Sequence, residues 1–189
     1  MNLRNILFVA ICTTASSAFA DNEYSGALAK IASGPIAQWI SAPVVLEAVR
    51  AQNAKTVGLI ENQIIELDTA WRQQTISGGE LIDGVLGNAL SQYLMELKIQ
   101  GQGRFTEIFV SDIRGLNVGQ SDVTSDYWQG DEAKWQVPRE TAGIHIGSIE
   151  FDESTQSYQS QISVPIIEAG AFIGVITVGI DLERIAAAY

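Results

Sequence analysis

The chain has 189 residues, 22 acidic and 11 basic side chains, one histidine and a formal charge of −11. Charge of that sign repels phosphate backbones and anionic membrane surfaces, and no basic run offsets it, which argues against nucleic acid as a partner. The length suffices for one domain with its own hydrophobic core, and a single cysteine leaves no internal disulfide to support it.

Residues 1–20 read as a cleaved export signal. Arg4 precedes an apolar run over 6–12, and Ala18-Phe19-Ala20 stands ahead of Asp21. The apolar run is too short to span a bilayer, and Ile11 stands before Cys12 where a lipoprotein signal needs a small residue. Cleavage after Ala20 would remove Arg4 and the only cysteine, shifting the charge from −11 to −12 because all 22 acids lie beyond residue 20. The expected product is a periplasmic domain of residues 21–189 with no membrane insertion after cleavage.

The next part of the chain is helical in pattern. Leu28, Ile31, Ile36 and Ile40 recur at helical spacing across an interruption at Ser33-Gly34-Pro35. Ser41 reads as an N-cap, Pro43 as part of the first turn of a helix through Val44, Leu46 and Val49, and Asn53 as its stop. A further amphipathic helix runs through Leu59, Ile60, Ile64, Leu67 and Trp71 to a break at Gly78-Gly79. One more is predicted through Leu81, Val85, Leu90 and Leu94, weakened by Gly84 and Gly87.

From Arg104 the period changes. Residues 105–111 are aromatic and β-branched, and a turn at 112–115 leads into 116–120, a hairpin signal. Residues 143–150 alternate, with Ile144 and Ile146 on one face and His145 on the other. Residues 158–166 alternate again, a turn follows at 168–170, and 171–180 is apolar on both faces, as a central covered strand should be. The predicted class is therefore α+β: an antiparallel sheet of about five strands, helices over one face, and the connection at 127–135 over the other.

That connection belongs to the run Ser125-Asp-Tyr-Trp-Gln-Gly-Asp-Glu-Ala-Lys-Trp135, in which Tyr127, Trp128 and Trp135 sit among three carboxylates. Rings with polar tips suit a site that encloses a small molecule and hydrogen-bonds it. The competing reading is an amphipathic turn whose rings tuck onto the core. His145 has no second histidine or mature cysteine with which to hold a metal, and no catalytic serine elbow or phosphate-binding glycine loop accompanies it. No cofactor or metal is expected. Asp181 ends the apolar strand, where it either holds a cationic ligand group or caps a helix starting at Leu182.

Five segments in order carry a family resemblance: Phe105-Thr-Glu-Ile-Phe-Val-Ser-Asp112, Gly115-Leu-Asn-Val-Gly-Gln-Ser-Asp122, Asp126-Tyr-Trp-Gln-Gly-Asp-Glu-Ala-Lys-Trp135, Phe151-Asp-Glu-Ser-Thr155 and Gly174-Val-Ile-Thr-Val-Gly-Ile-Asp181. Together they resemble the Cache, or PDC, domains, PAS-like extracellular sensors, and among them the stand-alone secreted subgroup. The resemblance implies a long N-terminal helix along one sheet face and a ligand pocket between the sheet and the segment holding Tyr127 and Trp128. In amino-acid-binding relatives an Arg-x-Trp-Tyr run grips the ligand carboxylate and an Asp near the sheet end takes the amine. Here no arginine stands just before Tyr127-Trp128, and the last strand reads about two residues longer.

The pocket candidates are Tyr127, Trp128, Trp135, His145 and Asp181, with Asp112 and Ser163 behind them. The expected function is a non-enzymatic periplasmic sensor module that binds a small polar or charged metabolite and signals through a separate membrane receptor or sensor kinase in chemotaxis or a related pathway. Its helices offer a contact for a homodimer, which nothing in the sequence requires. The alternative is an envelope interaction module with a vestigial pocket.

Overall fold

The structure is a computed structural model that describes residues 17–153 and 156–186. The expected leader falls on residues of which 1–16 lie outside the described ones. Helix α1 (Ser17–Ile31) continues through a π-helical turn (Ala32–Ile36) into α2 (Ala37–Trp39). Ser33-Gly34-Pro35 was expected to interrupt this helix. Instead the wider turn accommodates Pro35, and the Ala37 N–H reaches back five residues to the Ala32 carbonyl.

Helix α3 (Pro43–Thr56) starts from Ala42, not Ser41, because the Ser41 hydroxyl donates to the Ala37 carbonyl of the preceding turn. Asn53 does not stop it. The Asn53 amide donates to the Ile173 carbonyl of a strand and accepts from the Ile113 N–H of a turn, tying α3 to both. Helix α4 (Glu61–Ser77) ends at Gly78, whose φ of 71° lies in the left-handed region. The single helix expected over Leu81 to Leu94 is two, α5 (Glu80–Leu86) and α6 (Ala89–Gln100). Asn88 starts α6 by accepting the Ser91 N–H at 2.9 Å.

The strands are β1 (Phe105–Asp112), β2 (Asn117–Gln120), β3 (His145–Ile146), β4 (Glu150–Asp152), β5 (Ser157–Glu168) and β6 (Ala171–Asp181). Helix α7 (Ala133–Thr141) lies between β2 and β3, and α8 (Leu182–Ala186) follows β6. All pairings are antiparallel, in the order β2-β1-β6-β5-β3, with β4 also on β5. The sheet thus has six strands where about five were expected. The alternating stretch at 143–150 divides because Ser160 Oγ takes the Gly147 carbonyl, interrupting the ladder before it resumes at Glu150.

Strand alternation sends Ile108, Val110, Ile162, Val164, Ile166, Ile176, Val178 and Ile180 to one face, where they form the main core with Ile31, Ile36, Val45, Val49, Leu90 and Leu94 of the helices. The other face carries Phe109 and Phe172 and meets α7: Lys134 lies over the Phe109 ring and Trp135 packs edge-on to Phe172. The helices therefore cover one face and the connection after β2 the other, as the sequence pattern implies. A second apolar cluster lies beyond the β2 edge, where Ile64, Trp71, Ile82, Val85, Leu116 and Tyr127 join α4 and α5 to the loop before α7.

Candidate functional site

On the α7 face of the sheet a cleft of about 810 Å³ opens between β1, β5, the start of α7 and the β3–β4 edge. Its floor depends on one glycine. Gly179 on the central strand pairs with Glu107 on one side and Gln161 on the other. A β-carbon at Gly179 would fall 2.9 Å from Glu107 Cγ and against Thr106 Oγ1. With only hydrogen there, the two side chains meet across the strand, and Gln161 Nε2 donates to Glu107 Oε1 at 2.7 Å.

The walls are polar. Lys134 enters from the first turn of α7, its side chain 19% exposed and its ammonium 3.0 Å from Glu132 Oε2. His145 enters from β3, opposite Ser163 of β5. Glu150, Asp152 and Glu153 line the outer side, so five carboxylates face one lysine across the cleft. Such a lining offers acceptors and a negative field, which favours a ligand carrying a positively charged nitrogen. Among the described residues no group of three or more His, Cys, Asp or Glu side chains is placed to hold a metal ion.

The seven residues singled out from the sequence are not gathered in one place. His145 lines the cleft. Ser163 lies beneath the same face, fully buried, and shares a 3.0 Å hydrogen bond with Thr177 of the central strand. Trp135 is buried and anchors α7 by donating its indole N–H to the Asp112 carbonyl at 3.0 Å. Tyr127 and Trp128 do not line the cleft. Tyr127 stacks on Trp71 with ring centroids 5.3 Å apart, and Asp68 Oδ1 accepts the backbone N–H of both residues. Trp128 donates its indole N–H to the Arg114 carbonyl at 2.9 Å.

Asp112 and Asp181 also have structural partners. The Asp112 carboxylate is fully buried on the helix-covered face, accepting from Thr56, Gln52 and the backbone N–H groups of Arg114 and Leu116. Asp181 takes the helix-capping role weighed for it, accepting the Arg184 N–H at 3.0 Å at the start of α8. Burial, with a smaller contribution from the Asp112 charge, pushes the Tyr127 phenol up to about 12. Sequence reasoning missed Glu107, Lys134 and Gln161. Their signals were present, in a glycine inside an apolar strand and a lysine within the aromatic run, but neither says which side chains meet.

Against known proteins, the family described as methyl-accepting chemotaxis protein-like, first PDC sensor domain, matches residues 86–187, which is more than half of the chain. Among solved structures, an extracellular domain described as that of the histidine kinase vpHK1S-Z8 is similar over 90% of this chain and 58% of its own, at 12% identity and a TM-score of 0.51. The ligand-binding domain of the Pseudomonas aeruginosa PAO1 amino acid chemoreceptor PctC, in complex with GABA, is similar over 68% of this chain and 64% of its own, at 17% identity and a TM-score of 0.40. The sensory domain of the Campylobacter jejuni chemoreceptor Tlp3 is similar over 88% and 66%, at 13% identity and a TM-score of 0.42. The chain thus spans between 58% and 66% of the length of these three domains. At these identities the likeness is one of fold, the PAS-like α+β arrangement of extracellular sensor domains. No curated protein matches the chain.

Proposed function

This chain belongs to the family of methyl-accepting chemotaxis protein-like PDC sensor domains, and from that premise we propose that it is a non-enzymatic periplasmic sensor module whose ligand sits in the α7-face cleft. The ligand is a small polar or charged metabolite. The five-to-one excess of carboxylates over lysine in the lining favours one that carries an amine. Glu107 and Gln161 supply hydrogen bonds from the floor, and Lys134 and His145 supply them from the two sides. Occupancy reaches a separate partner, a membrane receptor or sensor kinase, through the helices on the opposite face. Among the described residues no helix is long and apolar enough to cross a membrane.

The observation that carries this reading is the cleft of about 810 Å³ whose polar walls rest on a well-packed sheet. That size falls in the range of small-molecule sites, about 300–1,000 Å³, and a rigid floor lowers the ordering cost of binding. A ligand at one hundred times its dissociation constant should stabilise the fold by about 2.7 kcal/mol. A thermal-shift screen of amines, amino acids, short carboxylates and purines measures this. An amine-bearing compound should raise Tm in the wild type and not in Gln161→Ala or Lys134→Ala. If no compound shifts melting, or if those substitutions leave the shift intact, the cleft is not the site.

A further inference from the structure

A second cleft, of about 220 Å³, lies between the start of α4, the β1–β2 turn and α7, lined by Ile64, Ile113, Arg114, Trp128, Trp135 and Arg139, with Glu61 at its edge. We propose that it binds a small monocarboxylate with an apolar body, in a site separate from the α7-face cleft and independent of what that cleft holds.

The first ground is charge. Acids outnumber bases two to one in this chain, and Arg50, Arg72, Lys98, Lys134 and Arg184 each find a carboxylate within 3.4 Å. Lys55, Arg104, Arg114 and Arg139 have no ion pair with a carboxylate among the described residues, and of these four Arg114 and Arg139 both line this cleft. Arg114 Nε is moreover buried with no hydrogen-bond partner. A buried donor on a cation without an acceptor is costly, and an incoming oxyanion would supply the acceptor.

The second ground is how firmly the walls are set. Trp128 Nε1 donates to the Arg114 carbonyl and Trp135 Nε1 to the Asp112 carbonyl, so both indoles are fixed to the turn that carries Arg114. Gly130 lets that loop close down, since a β-carbon there would strike the Trp128 indole and lie 2.9 Å from the Arg114 carbonyl. Arg139 stacks on the Trp135 ring, with its guanidinium carbon 4.7 Å from the ring centroid. Stacking orients the flat guanidinium and leaves its N–H edge free for bidentate contact with a carboxylate.

Ligand class follows from the balance. Two arginines and one glutamate sum to a single positive charge, which matches a monoanion and disfavours sulfate or phosphate dianions. The indole rings, Ile64 and Ile113 offer the apolar surface that a bare ion would leave unused.

The probe is sodium benzoate, titrated into ¹⁵N-labelled protein at constant ionic strength, with acetate and sulfate as parallel arms. The expected result is a saturable shift of the Arg114 Nε–H and of the Trp128 and Trp135 indole N–H signals, with those of Trp39 and Trp71 unmoved. Acetate should bind more weakly and sulfate should produce no saturable change. Arg139 is exposed, so Arg139→Gln leaves the fold intact, and it should weaken benzoate about tenfold or more. Arg114→Lys, which keeps the charge and loses the fork, should also weaken it. Absence of saturation with benzoate, an equal response to sulfate, or unchanged affinity in Arg139→Gln would overturn the proposal.

Discussion

The two faces of the sheet are built from the same strands and do opposite work. On the helix-covered face, alternate residues of β1, β5 and β6 are almost all isoleucine or valine and are buried against α1, α3 and α6. On the α7 face the intervening residues include two hydrogen-bonded pairs, Glu107–Gln161, which lines the cleft, and Ser163–Thr177, which is buried beneath that face. Apolar burial, about 25 cal/mol per Å² removed from water, is thereby concentrated on one side. The other side is held by a few directed contacts, above all Trp135, and is free to present polar groups to a ligand.

Adjacent positions on β6 test the contrast most sharply. Ile176 is fully buried on the helix side, and Ile176→Ala should cost about 3–4 kcal/mol in urea unfolding, the usual price of an emptied core site. A cost under about 1 kcal/mol would break the asymmetry.

The second-largest effect belongs to neither face. Tyr127 sits in the cluster beyond the β2 edge, 6% exposed, with its phenol pushed up to about 12 from the ordinary value of 10.0. The folded state holds that proton longer than the unfolded chain does. Its contribution is therefore complete below pH 10 and lost as pH rises toward 12, by about 2–3 kcal/mol. Unfolding measured from pH 9 to 12 should fall less steeply in Tyr127→Phe than in the wild type. Parallel curves would mean that the ring is wetter than its packing on Trp71 implies.

On the α7 face, Thr177→Val removes the hydroxyl shared with Ser163 while keeping shape, and should cost about 1 kcal/mol, far less than its neighbour Ile176→Ala. The smallest change in stability, within about 0.5 kcal/mol, is expected for Gln161→Ala at the cleft floor. That variant should nevertheless lose the thermal shift given by the cleft ligand. A large loss of stability there would recast Glu107–Gln161 as a structural pair.

Much of this arrangement was legible locally. Strict alternation marked β5, the apolar run on both faces marked β6 as central, and Gly78-Gly79 ended α4 where a left-handed residue was needed. Tyr127 and Trp128, though adjacent, point in different directions, one ring onto Trp71 and the other toward the Arg114 carbonyl. Within the same aromatic run it is Lys134, not the rings of Tyr127 and Trp128, that reaches the cleft. Local chemistry was misread wherever a side chain had a distant partner. Asn53 carried the look of a helix stop, but its amide bonds lie 60 and 120 positions away.

The sequence by itself determined the fold class, the succession from a helical first half to a strand-rich second half, the central strand, the acidic character and the kind of family to which the chain belongs. These follow from composition and from periods of two and about 3.6 residues, which act between near neighbours. Only the tertiary structure decided which polar side chains share a cleft. Glu107 and Gln161 are 54 positions apart and meet across Gly179, while Arg114 of the β1–β2 turn and Arg139 of α7 come to line one cleft. Such meetings depend on strand register and loop closure, and neither leaves a periodic trace in the chain.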